Sequence, residues 1–520
     1  MTALFISFLL LLCTSLKLSH ATTYPVYNIS NFLGGGSVLG DGGLAVNAKV
    51  EYTEGVAVNS KGEVLVVQNF YGRVRKVDKN GYVTTIAGFG TSGDSSGNGG
   101  LATNAMLGYP AGITVNDKDE IYLVEYGTHM VRKILVNGTI QEFAGILNGG
   151  GFGGDNGLAT NAIFNHPYGV SVNPLTGDVY ISDFSNNRIR KVDSSGIIST
   201  YVGTGNTEYG ADDILAVNAN INSPYYIATG PNGDLYIPLV GSSRICKVSY
   251  STGKITTIAG TGAYGYSGDG GLAINAVIRY PKSIAIGKHG EIFFTDSDNQ
   301  VIRRITPDGI ITTIAGTGNF GYSGDGGLAT SADISKPTGI AVDSNGTIYF
   351  CDNNNNRVRK LVPYCLDGKL VNGTCEFSCF GIKNNLATVC NGHGNCLATN
   401  SCLCDSGWKG NVQCSQFSCD GLNNCNGHGS CVLNNTCQCQ DGWKGNLECS
   451  QYSCERVNNC NGRGACVGVN TCLCVSGYFG KECQYKTCFA NSNNEMLNYG
   501  NRPFTMSERF CQKINKQLLV

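Results

Sequence analysis

Short apolar runs alternate with turn residues along most of the chain up to residue 362. Between residues 283 and 316, four runs follow one another: SIAIG, EIFFTD, VIRRIT and IITTIAG. Short runs rich in Ile, Val, Phe and Thr that are separated by turn residues predict β-strands joined by hairpins. The pattern therefore predicts a four-stranded antiparallel unit.

This unit occurs six times. Each copy follows a glycine-rich loop that closes on a Leu-Ala pair, and successive pairs are 57, 57, 57, 57 and 56 residues apart, beginning at Leu44, Leu101, Leu158, Leu215, Leu272 and Leu328. One four-stranded unit cannot bury both of its faces, whereas units stacked around an axis bury them against their neighbours. The repeat therefore predicts an all-β fold that begins with a six-bladed β-propeller.

The two ends of the repeat region complement each other. The sixth unit stops near Val362 without a fourth strand, and Val26–Leu33 precedes the first Leu-Ala loop where a fourth strand is expected. We expect residues 26–33 to complete the sixth blade, because this closes the ring and leaves no unpaired edge between the first and last blades.

The glycine-rich loop contains the pattern G-x-G-x-x-G at Gly260, Gly262 and Gly265. A dinucleotide site would need a helix after the loop, and it would be built once instead of in every repeat, so we interpret the loop as a turn between blades. Calcium is an alternative ligand, but each loop offers a single acid where calcium sites gather several, and we predict no metal or cofactor. The loop acids are Asp41, Asp94, Asp155, Asp269 and Asp325.

Each blade also repeats a basic motif, NRIRK in the third copy. An acid stands seven residues before the second basic residue in four copies, and in the fourth copy both are replaced together, by Leu239 and Cys246. We therefore prefer an internal brace across a hairpin to a phosphate-binding ring, and we expect the paired residues to face each other on one side of the sheet. The pairs are Glu125 with Arg132, Asp183 with Arg190, Asp296 with Arg303, and Asp352 with Arg359.

One position just before each innermost strand differs in chemistry from copy to copy. The loops between blades and the turns between second and third strands share one face, which is the candidate binding surface. Because this position repeats in place on that face but varies in chemistry, it is predicted to form a varied binding rim at the mouth of the central channel. Simple packing beside the proline that follows in five copies explains it equally well. The rim residues are Tyr52, Tyr109, His166, Ser223, Tyr280 and Lys336.

Residues 1–21 read as a secretory signal peptide, since a short apolar core precedes small residues at Ser19 and Ala21. The formal net charge of −1 and the 14% charged residues argue against nucleic acid as a partner, and no later apolar run is long enough to span a membrane. We expect a secreted, extracellular glycoprotein with possible glycosylation at Asn28, Asn137, Asn345, Asn372 and Asn434.

Most of the 25 cysteines lie between Cys375 and Cys511, a density typical of an oxidising compartment. Disulfides are therefore preferred to zinc. We expect Cys365 to pair with Cys375 and Cys488 with Cys511, and Cys246 and Cys351 to be buried thiols. The remaining cysteines form three sets of six: Cys379, Cys390, Cys396, Cys402, Cys404 and Cys414; Cys419, Cys425, Cys431, Cys437, Cys439 and Cys449; Cys454, Cys460, Cys466, Cys472, Cys474 and Cys483.

Two family resemblances follow from these residues. The propeller repeat, with GIAVD, IY, NRVRK and TIAG around a glycine-rich SGDGGLA loop, resembles the NHL repeat of extracellular propellers such as those of teneurins. The three cysteine sets, each with a C-x-C step and a C-x-x-G-aromatic-x-G ending, resemble EGF-like modules of the tenascin and teneurin kind. This second resemblance implies pairing of the first cysteine with the third, the second with the fourth and the fifth with the sixth.

These observations predict a domain order and a function class. The predicted parts are a signal peptide (1–21), an NHL propeller (22–363), a junction (364–378), EGF-like modules (379–414, 419–449 and 454–483) and an unclassified end (484–520). We expect a recognition or adhesion protein whose propeller face binds an extracellular protein or glycan while the EGF-like modules form a stalk. The teneurins carry these modules in the opposite order, which weakens any detailed parallel.

The alternative is a secreted metal-dependent hydrolase or lyase that uses the channel. We find no catalytic motif and expect no enzyme activity, since His129, His166 and His289 lie in different positions of the repeat.

Overall fold

The computed structural model describes residues 24–486, except 91–92, 211, 366–368, 372–373, 377, 380–381, 384–389, 391–392, 399–400, 406–407, 410–412, 434–435 and 446–447. The signal peptide, the glycosylation positions Asn372 and Asn434, and the pair Cys488 and Cys511 lie outside the described residues. The described chain forms two compact units with a boundary after Cys375. In the part of the chain that is described, no helix has the length and apolar character that a membrane span requires.

The first unit is a six-bladed β-propeller, as the sequence predicts. The blades, each written from the innermost strand outward, are as follows. Blade 1 has β2 (Thr53–Val58), β3 (Val64–Gln68), β4 (Arg73–Val77) and β5 (Val83–Ala87); blade 2 has β6 (Pro110–Val115), β7 (Ile121–Glu125), β8 (Met130–Ile134) and β9 (Ile140–Ala144); blade 3 has β10 (Pro167–Val172), β11 (Val179–Asp183), β12 (Arg188–Val192) and β13 (Ile198–Val202).

Blades 4 to 6 continue the series with two variations. Blade 4 has β15 (Ala228–Thr229), β16 (Leu235–Leu239), β17 (Arg244–Val248) and β18 (Lys254–Ala259), with the short β14 (Ile214–Leu215) added outside β18; blade 5 has β19 (Pro281–Ile286), β20 (Ile292–Asp296), β21 (Val301–Ile305) and β22 (Ile311–Ala315); blade 6 has β23 (Pro337–Val342), β24 (Ile348–Asp352), β25 (Arg357–Tyr364) and, as its outer strand, β1 (Val26–Leu33).

The ring closes between the two ends of the propeller unit. β1 pairs antiparallel with β25, from Val26 opposite Tyr364 to Leu33 opposite Val358. The innermost strands touch their neighbours around the whole ring, and β23 of blade 6 contacts β2 of blade 1. Each sheet edge at the closure is thereby hydrogen-bonded within the chain.

Apolar side chains from neighbouring blades form the core. Between blades 1 and 2, for example, Leu65 and Val74 of one blade pack with Leu107 and Leu123 of the next. Alternating strands place one apolar face of each sheet against the next sheet, so every blade contributes to two such clusters. The chain needs the full ring to bury both faces of each blade.

Glycine lets the innermost strands approach closely around the axis. A Cβ atom at Gly112 would lie 2.1 Å from the Tyr168 carbonyl oxygen, and one at Gly169 would lie 2.4 Å from the Tyr225 carbonyl oxygen. In blade 4 the same position of the repeat is occupied by Tyr226. Blade 4 therefore has a large side chain at a position where blades 1, 2, 3 and 6 have glycine and blade 5 has Ser283.

The second unit consists of small hairpins held by disulfides. The hairpins are Ser378–Cys379 with Ile382–Lys383, Gly394–Ala398 with Ser401–Cys404, Trp408–Lys409 with Gln416–Phe417, Gly429–Leu433 with Thr436–Cys439, Trp443–Lys444 with Gln451–Tyr452, Gly464–Gly468 with Thr471–Cys474, and Tyr478–Phe479 with Tyr485–Lys486. Described disulfides join Cys390–Cys402, Cys404–Cys414, Cys419–Cys431, Cys425–Cys437, Cys439–Cys449, Cys454–Cys466, Cys460–Cys472 and Cys474–Cys483. These bonds follow the order that the EGF-like resemblance implies.

The propeller unit contains four described cysteines, which are Cys246, Cys351, Cys365 and Cys375. Cys365 forms a disulfide with Cys375. Cys246 and Cys351 are free and fully buried, as predicted. Burial raises the pKa of the Cys246 thiol to about 12, so this thiol is not a nucleophile at neutral pH.

Candidate functional site

The loops between blades and the turns between second and third strands meet on one face of the propeller, which we call the loop face. Asparagine side chains of these turns join the two sets of loops: Asn186 Nδ2 donates to the Gly151 carbonyl at 2.6 Å, and Asn299 Nδ2 donates to the Gly265 carbonyl at 2.7 Å. The loop face is therefore fixed by side chains that each repeat supplies.

A fully buried arginine lies beneath this face in five blades: Arg75, Arg132, Arg190, Arg303 and Arg359. In blade 3, the guanidinium of Arg190 lies 3.4 Å from Asp183 on the neighbouring strand and 2.6 Å from Asp155 in the loop. The loop acid is thus the closer partner. These arginines are internal braces and are not exposed to bind phosphate.

The strand register corrects one detail of the predicted brace. Asp183 lies directly opposite Arg188, and Arg190 lies opposite Ile181, so the charge pair is diagonal on the sheet. Diagonal neighbours are farther apart than directly opposite residues, which agrees with the long contact of 3.4 Å. Asp155, the partner at the shorter distance from Arg190, lies outside the hairpin. A pattern of two residues within the hairpin could therefore not reveal it.

The strand acid has a second role that links the brace to the rim. Asp183 Oδ1 accepts the Asn165 backbone N–H at 2.7 Å, and Asp296 Oδ1 accepts the Arg279 N–H at the same distance. Asn165 directly precedes the rim residue His166. Burial raises the pKa of Asp183 to about 6, while its hydrogen bonds and Arg190 oppose that shift. The acid therefore couples the buried arginine to the backbone of the rim.

Blades 2 and 4 depart from this arrangement. Asp94 is not equivalent to the other loop acids; Asn98 occupies that position, and Ser95 Oγ accepts from Arg132 at 2.5 Å instead. In blade 4, Tyr209 fills the space near the missing arginine, and its hydroxyl lies 3.5 Å from Cys246 Sγ. The loss of both charges in this blade is compensated by one neutral side chain from the loop.

All six rim residues adopt left-handed backbone conformations, with φ of 52° at Tyr52, 51° at Tyr109, 47° at His166, 55° at Ser223, 56° at Tyr280 and 50° at Lys336. Such φ values are uncommon for residues other than glycine and cost free energy, so surrounding contacts must hold them. A turn side chain of the preceding blade caps the rim N–H in four cases: Asn356 Oδ1 at Tyr52, His129 Nδ1 at His166, Asn187 Oδ1 at Ser223, and Gln300 Oε1 at Lys336.

Two histidines that occupy different positions of the repeat meet in space, contrary to the sequence expectation. The ring centroids of His129 and His166 lie 4.7 Å apart, because a turn of blade 2 contacts the rim residue that leads into blade 3. His129 Nδ1 accepts the His166 backbone N–H at 2.9 Å, which requires neutral imidazole with its proton on Nε2. Burial, followed by the charge of His166, lowers the pKa of His129.

An arc of aromatic rings crosses the loop face of blades 1 to 4, and we call it the aromatic arc. Neighbouring ring centroids are separated by 5.2, 6.3, 6.0, 5.1 and 4.4 Å along the series Tyr52, Phe70, Tyr109, Tyr126, Tyr168 and Tyr225. Only two of these are rim residues. Tyr168 and Tyr225 lie outside the predicted rim, at a second variable position of the repeat two residues after it.

The inner end of the aromatic arc reaches the channel axis. Tyr226 of blade 4 extends its hydroxyl to Glu54 of blade 1, on the opposite side of the ring, with an O–O distance of 3.2 Å. Asn353 Nδ2 donates to the other oxygen of Glu54 at 3.2 Å. Burial raises the pKa of Glu54, while Lys282 and these two bonds lower it. Tyr226 and Glu54 thus bridge the mouth of the channel.

The remaining part of the loop face has a different character. In blades 5 and 6, Asp298 pairs with Lys336 at 2.5 Å and with Arg279 at 3.6 Å. Tyr280, another rim residue, lies beside Lys282, whose ammonium is 5.9 Å from the tyrosine ring centroid. Around the rim, the aromatic arc of blades 1 to 4 is therefore followed by paired charges in blades 5 and 6.

Among the described residues, groups of at least three His, Cys, Asp or Glu with ligand atoms close together are formed by cysteines alone. Each of these cysteines is in a disulfide, as with Cys390 and Cys414, so its sulfur is not a free thiolate. At the channel mouth a single carboxylate, Glu54, meets a hydroxyl and an amide.

The described glycosylation positions are exposed and lie away from the loop face. Asn137 lies in the turn between β8 and β9, and Asn345 lies in the turn between β23 and β24, both on the opposite face. Asn28 lies on β1, the outer strand of blade 6. A glycan at any of these positions would leave the aromatic arc uncovered.

Comparison with known proteins identifies three segments. Residues 254–323 match the teneurin NHL domain, residues 335–361 the NHL repeat and residues 383–412 an EGF-like domain. Mouse teneurin-3 is 31% identical over 199 residues, which cover 35% of this chain and 7% of that protein. The Arabidopsis thaliana protein Suppressor of Quenching 1, chloroplastic, is 28% identical over 287 residues, which cover 53% of this chain and 27% of that protein. The chain thus spans about a quarter or less of the length of these relatives.

Among solved structures, an auxiliary nutrient binding protein from Bacteroides ovatus aligns with a TM-score of 0.48 and 19% identity, covering 66% of this chain and 78% of that chain. The sequence matches, the six sheets and the disulfide-bonded hairpins agree with one another. The chain combines a six-bladed propeller, with segments that match the teneurin NHL domain and the NHL repeat, with a disulfide-rich region that contains an EGF-like domain.

Proposed function

We propose that the protein is an extracellular recognition glycoprotein of the adhesion type, that its propeller binds a protein or glycan through the loop face, and that the EGF-like modules act as a stalk. The observation that carries this proposal is the aromatic arc. Tyr52 and Phe70 are 51% and 55% exposed although both are large aromatic residues. Exposed aromatic rings that are rigidly held are typical of recognition surfaces.

The construction of the rim supports the same proposal. The protein maintains six unfavourable backbone conformations at one ring of positions, and it caps four of them with side chains from the neighbouring blade. Strained residues that are held by their surroundings are concentrated at functional sites. The repeat conserves the backbone at these positions while the side chains differ, which is how one scaffold presents a specific surface.

Disulfides and the teneurin-type segments support an extracellular location. Nine described disulfides link the region from Cys365 to Cys483, and such bonds persist in oxidising compartments. We propose binding rather than catalysis, since Glu54 at the channel mouth meets Tyr226 and Asn353 and no second carboxylate among the described residues.

Cell binding by the fluorescently labelled, full-length secreted chain tests the proposal. We expect the combined variant Tyr52→Ala, Phe70→Ala and Tyr109→Ala to lose most binding. A control variant, Lys61→Ala and Lys118→Ala, changes exposed turns on the opposite face and is expected to bind as the original chain does. Equal thermal stability of the two variants would show that folding is retained. Binding that survives the aromatic substitutions would contradict a role for the loop face.

A further inference from the structure

The aromatic arc offers ring faces and edges to solvent at its outer end. Tyr52 is tilted against Phe70 and Phe70 meets Tyr109 edge to face, with centroid distances of 5.2 and 6.3 Å, and the first two rings are about half exposed. Towards the axis, Tyr168 is stacked between Tyr126 and Tyr225, so its faces are covered. The outer end therefore presents apolar surface, whereas Tyr225 and Tyr226 at the inner end are buried.

The charges near the aromatic arc are balanced within the protein. Glu51 pairs with Lys49 at 3.1 Å. Lys282 lowers the pKa of Glu54 by its charge, and its ammonium lies 5.5 Å from the ring centroid of Tyr225. A cationic ligand would compete with this lysine for the same carboxylate and the same ring face. The site thus lacks the uncompensated negative charge that would favour a cation.

The arginines of the loop face are also occupied. Arg73 donates to the Phe89 carbonyl at 3.3 Å, Arg244 to the Thr261 carbonyl at 2.7 Å, and Arg357 to the Gly34 carbonyl at 3.0 Å. Recognition of phosphate or sulfate relies on guanidinium groups that can donate to the ligand. These arginines instead tie the loops between blades to the propeller, so the described loop face does not favour an anion.

We propose that the aromatic arc binds an uncharged carbohydrate. Sugar rings stack through their C–H faces on Tyr52, Phe70 and Tyr109, and sugar hydroxyls bond to the hydroxyl groups of the tyrosines at the same end. Aromatic surface with a few fixed polar groups suits a ligand that is apolar on its ring faces and polar at its edges. This inference rests on the proposed function and names the ligand class of the same face.

The first test is direct binding of the full-length chain to an array of neutral, sialylated and sulfated oligosaccharides. We expect binding to neutral glycans, a loss of affinity of about tenfold in Phe70→Ala, and a change within about twofold in Phe320→Ala. Phe320 is the matched control because it is 65% exposed in a loop between blades but lies outside the aromatic arc. Binding confined to sialylated or sulfated glycans, or equal losses in both variants, would overturn the proposal.

The second test separates this inference from the proposed function. Mild periodate cleaves the vicinal diols of sugars on cells and leaves the polypeptide backbone intact. We expect periodate to abolish the cell binding that depends on the aromatic arc, and soluble neutral oligosaccharides to compete for it. Binding that depends on the aromatic arc but resists periodate would indicate a protein partner, and it would overturn the carbohydrate proposal while the recognition function stands. Cell binding that does not depend on the arc would contradict the recognition function itself.

Discussion

The propeller and the cysteine-rich unit have different sources of stability. In the propeller, apolar clusters lie between blades and buried arginines such as Arg190 join strands to loops. In the cysteine-rich unit, the buried apolar groups are mainly cysteine sulfurs, as at Cys419, Cys425 and Cys449. A module of about 35 residues buries too little surface to fold without cross-links, whereas a ring of six sheets shares its core among all of them. Reduction should therefore unfold the cysteine-rich unit, whereas substitution of the buried charged residues should destabilise the propeller.

Reduction should produce the largest difference. With excess dithiothreitol we expect the hairpins of the EGF-like region to unfold, because each disulfide contributes roughly 2–5 kcal/mol to such small modules. The propeller sheets contain only the free thiols Cys246 and Cys351 among their described cysteines, so they should stay folded. Hydrogen exchange followed by mass spectrometry measures both regions in one sample. Simultaneous loss of protection in both would contradict the comparison.

Breaking one arginine brace should be the largest single effect within the propeller. Arg190→Cys leaves Asp183 buried without its charge partner, and we expect the free energy of unfolding to fall by about 3–5 kcal/mol. Urea denaturation of the propeller measures the change.

The fourth blade provides a matched control. The combined variant Asp183→Leu, Arg190→Cys and Phe152→Tyr reproduces Leu239, Cys246 and Tyr209 in the third blade. Because it removes both charges and fills the space, we expect it to be more stable than Arg190→Cys alone. If the combined variant were the less stable of the two, buried charge would not be the reason for the loss.

A rim cap should have a smaller effect. Asn187 has a left-handed φ of 52° and its Oδ1 accepts the Ser223 N–H at 2.9 Å. Asn187→Gly keeps the favourable backbone and loses the cap, so we expect a loss of about 1 kcal/mol. Asn187→Ala loses both and should cost more. Thermal unfolding of the two variants separates the contributions, and equal stability of both would show that the backbone conformation costs nothing here.

Lowering the pH should have the smallest effect on stability, and the effect should be confined to the surroundings of His129. The pKa of His129 lies below its ordinary value of 6.5 in the folded protein, so the unfolded chain binds the proton more readily. The stability that neutral His129 contributes is complete above pH 6.5, and it falls as pH is lowered through the folded pKa. We expect hydrogen exchange at His166 to increase from pH 7 to pH 5 beyond the intrinsic change in rate.

His129→Asn is the control for this pH dependence. Asn caps the rim at the equivalent positions Asn187 and Asn356, and it does not titrate. The additional exchange at His166 should disappear in this variant. Its persistence would assign the pH dependence to another group.

The rim position was found from the sequence by one rule: it repeats in position and varies in chemistry. The same rule applies two residues later, at Glu54, Ala111, Tyr168, Tyr225, Lys282 and Thr338, and it would have found the inner end of the aromatic arc. The contact between His129 and His166 follows no such rule, because it joins a turn of one blade to the rim of the next. Binding by the rim residues stays a prediction until the variants are measured.

The sequence by itself determined the six-bladed fold and the EGF-like character of the cysteine-rich region, because equal spacing and strand periodicity are properties of the linear chain. Only the tertiary structure decided that Asp155 is the close partner of Arg190 and that Tyr226 reaches Glu54 across the axis. These contacts depend on how far a loop folds back and on which residues face each other around a closed ring. A local pattern of residues encodes neither the path of the loop nor the pairing of residues across the ring.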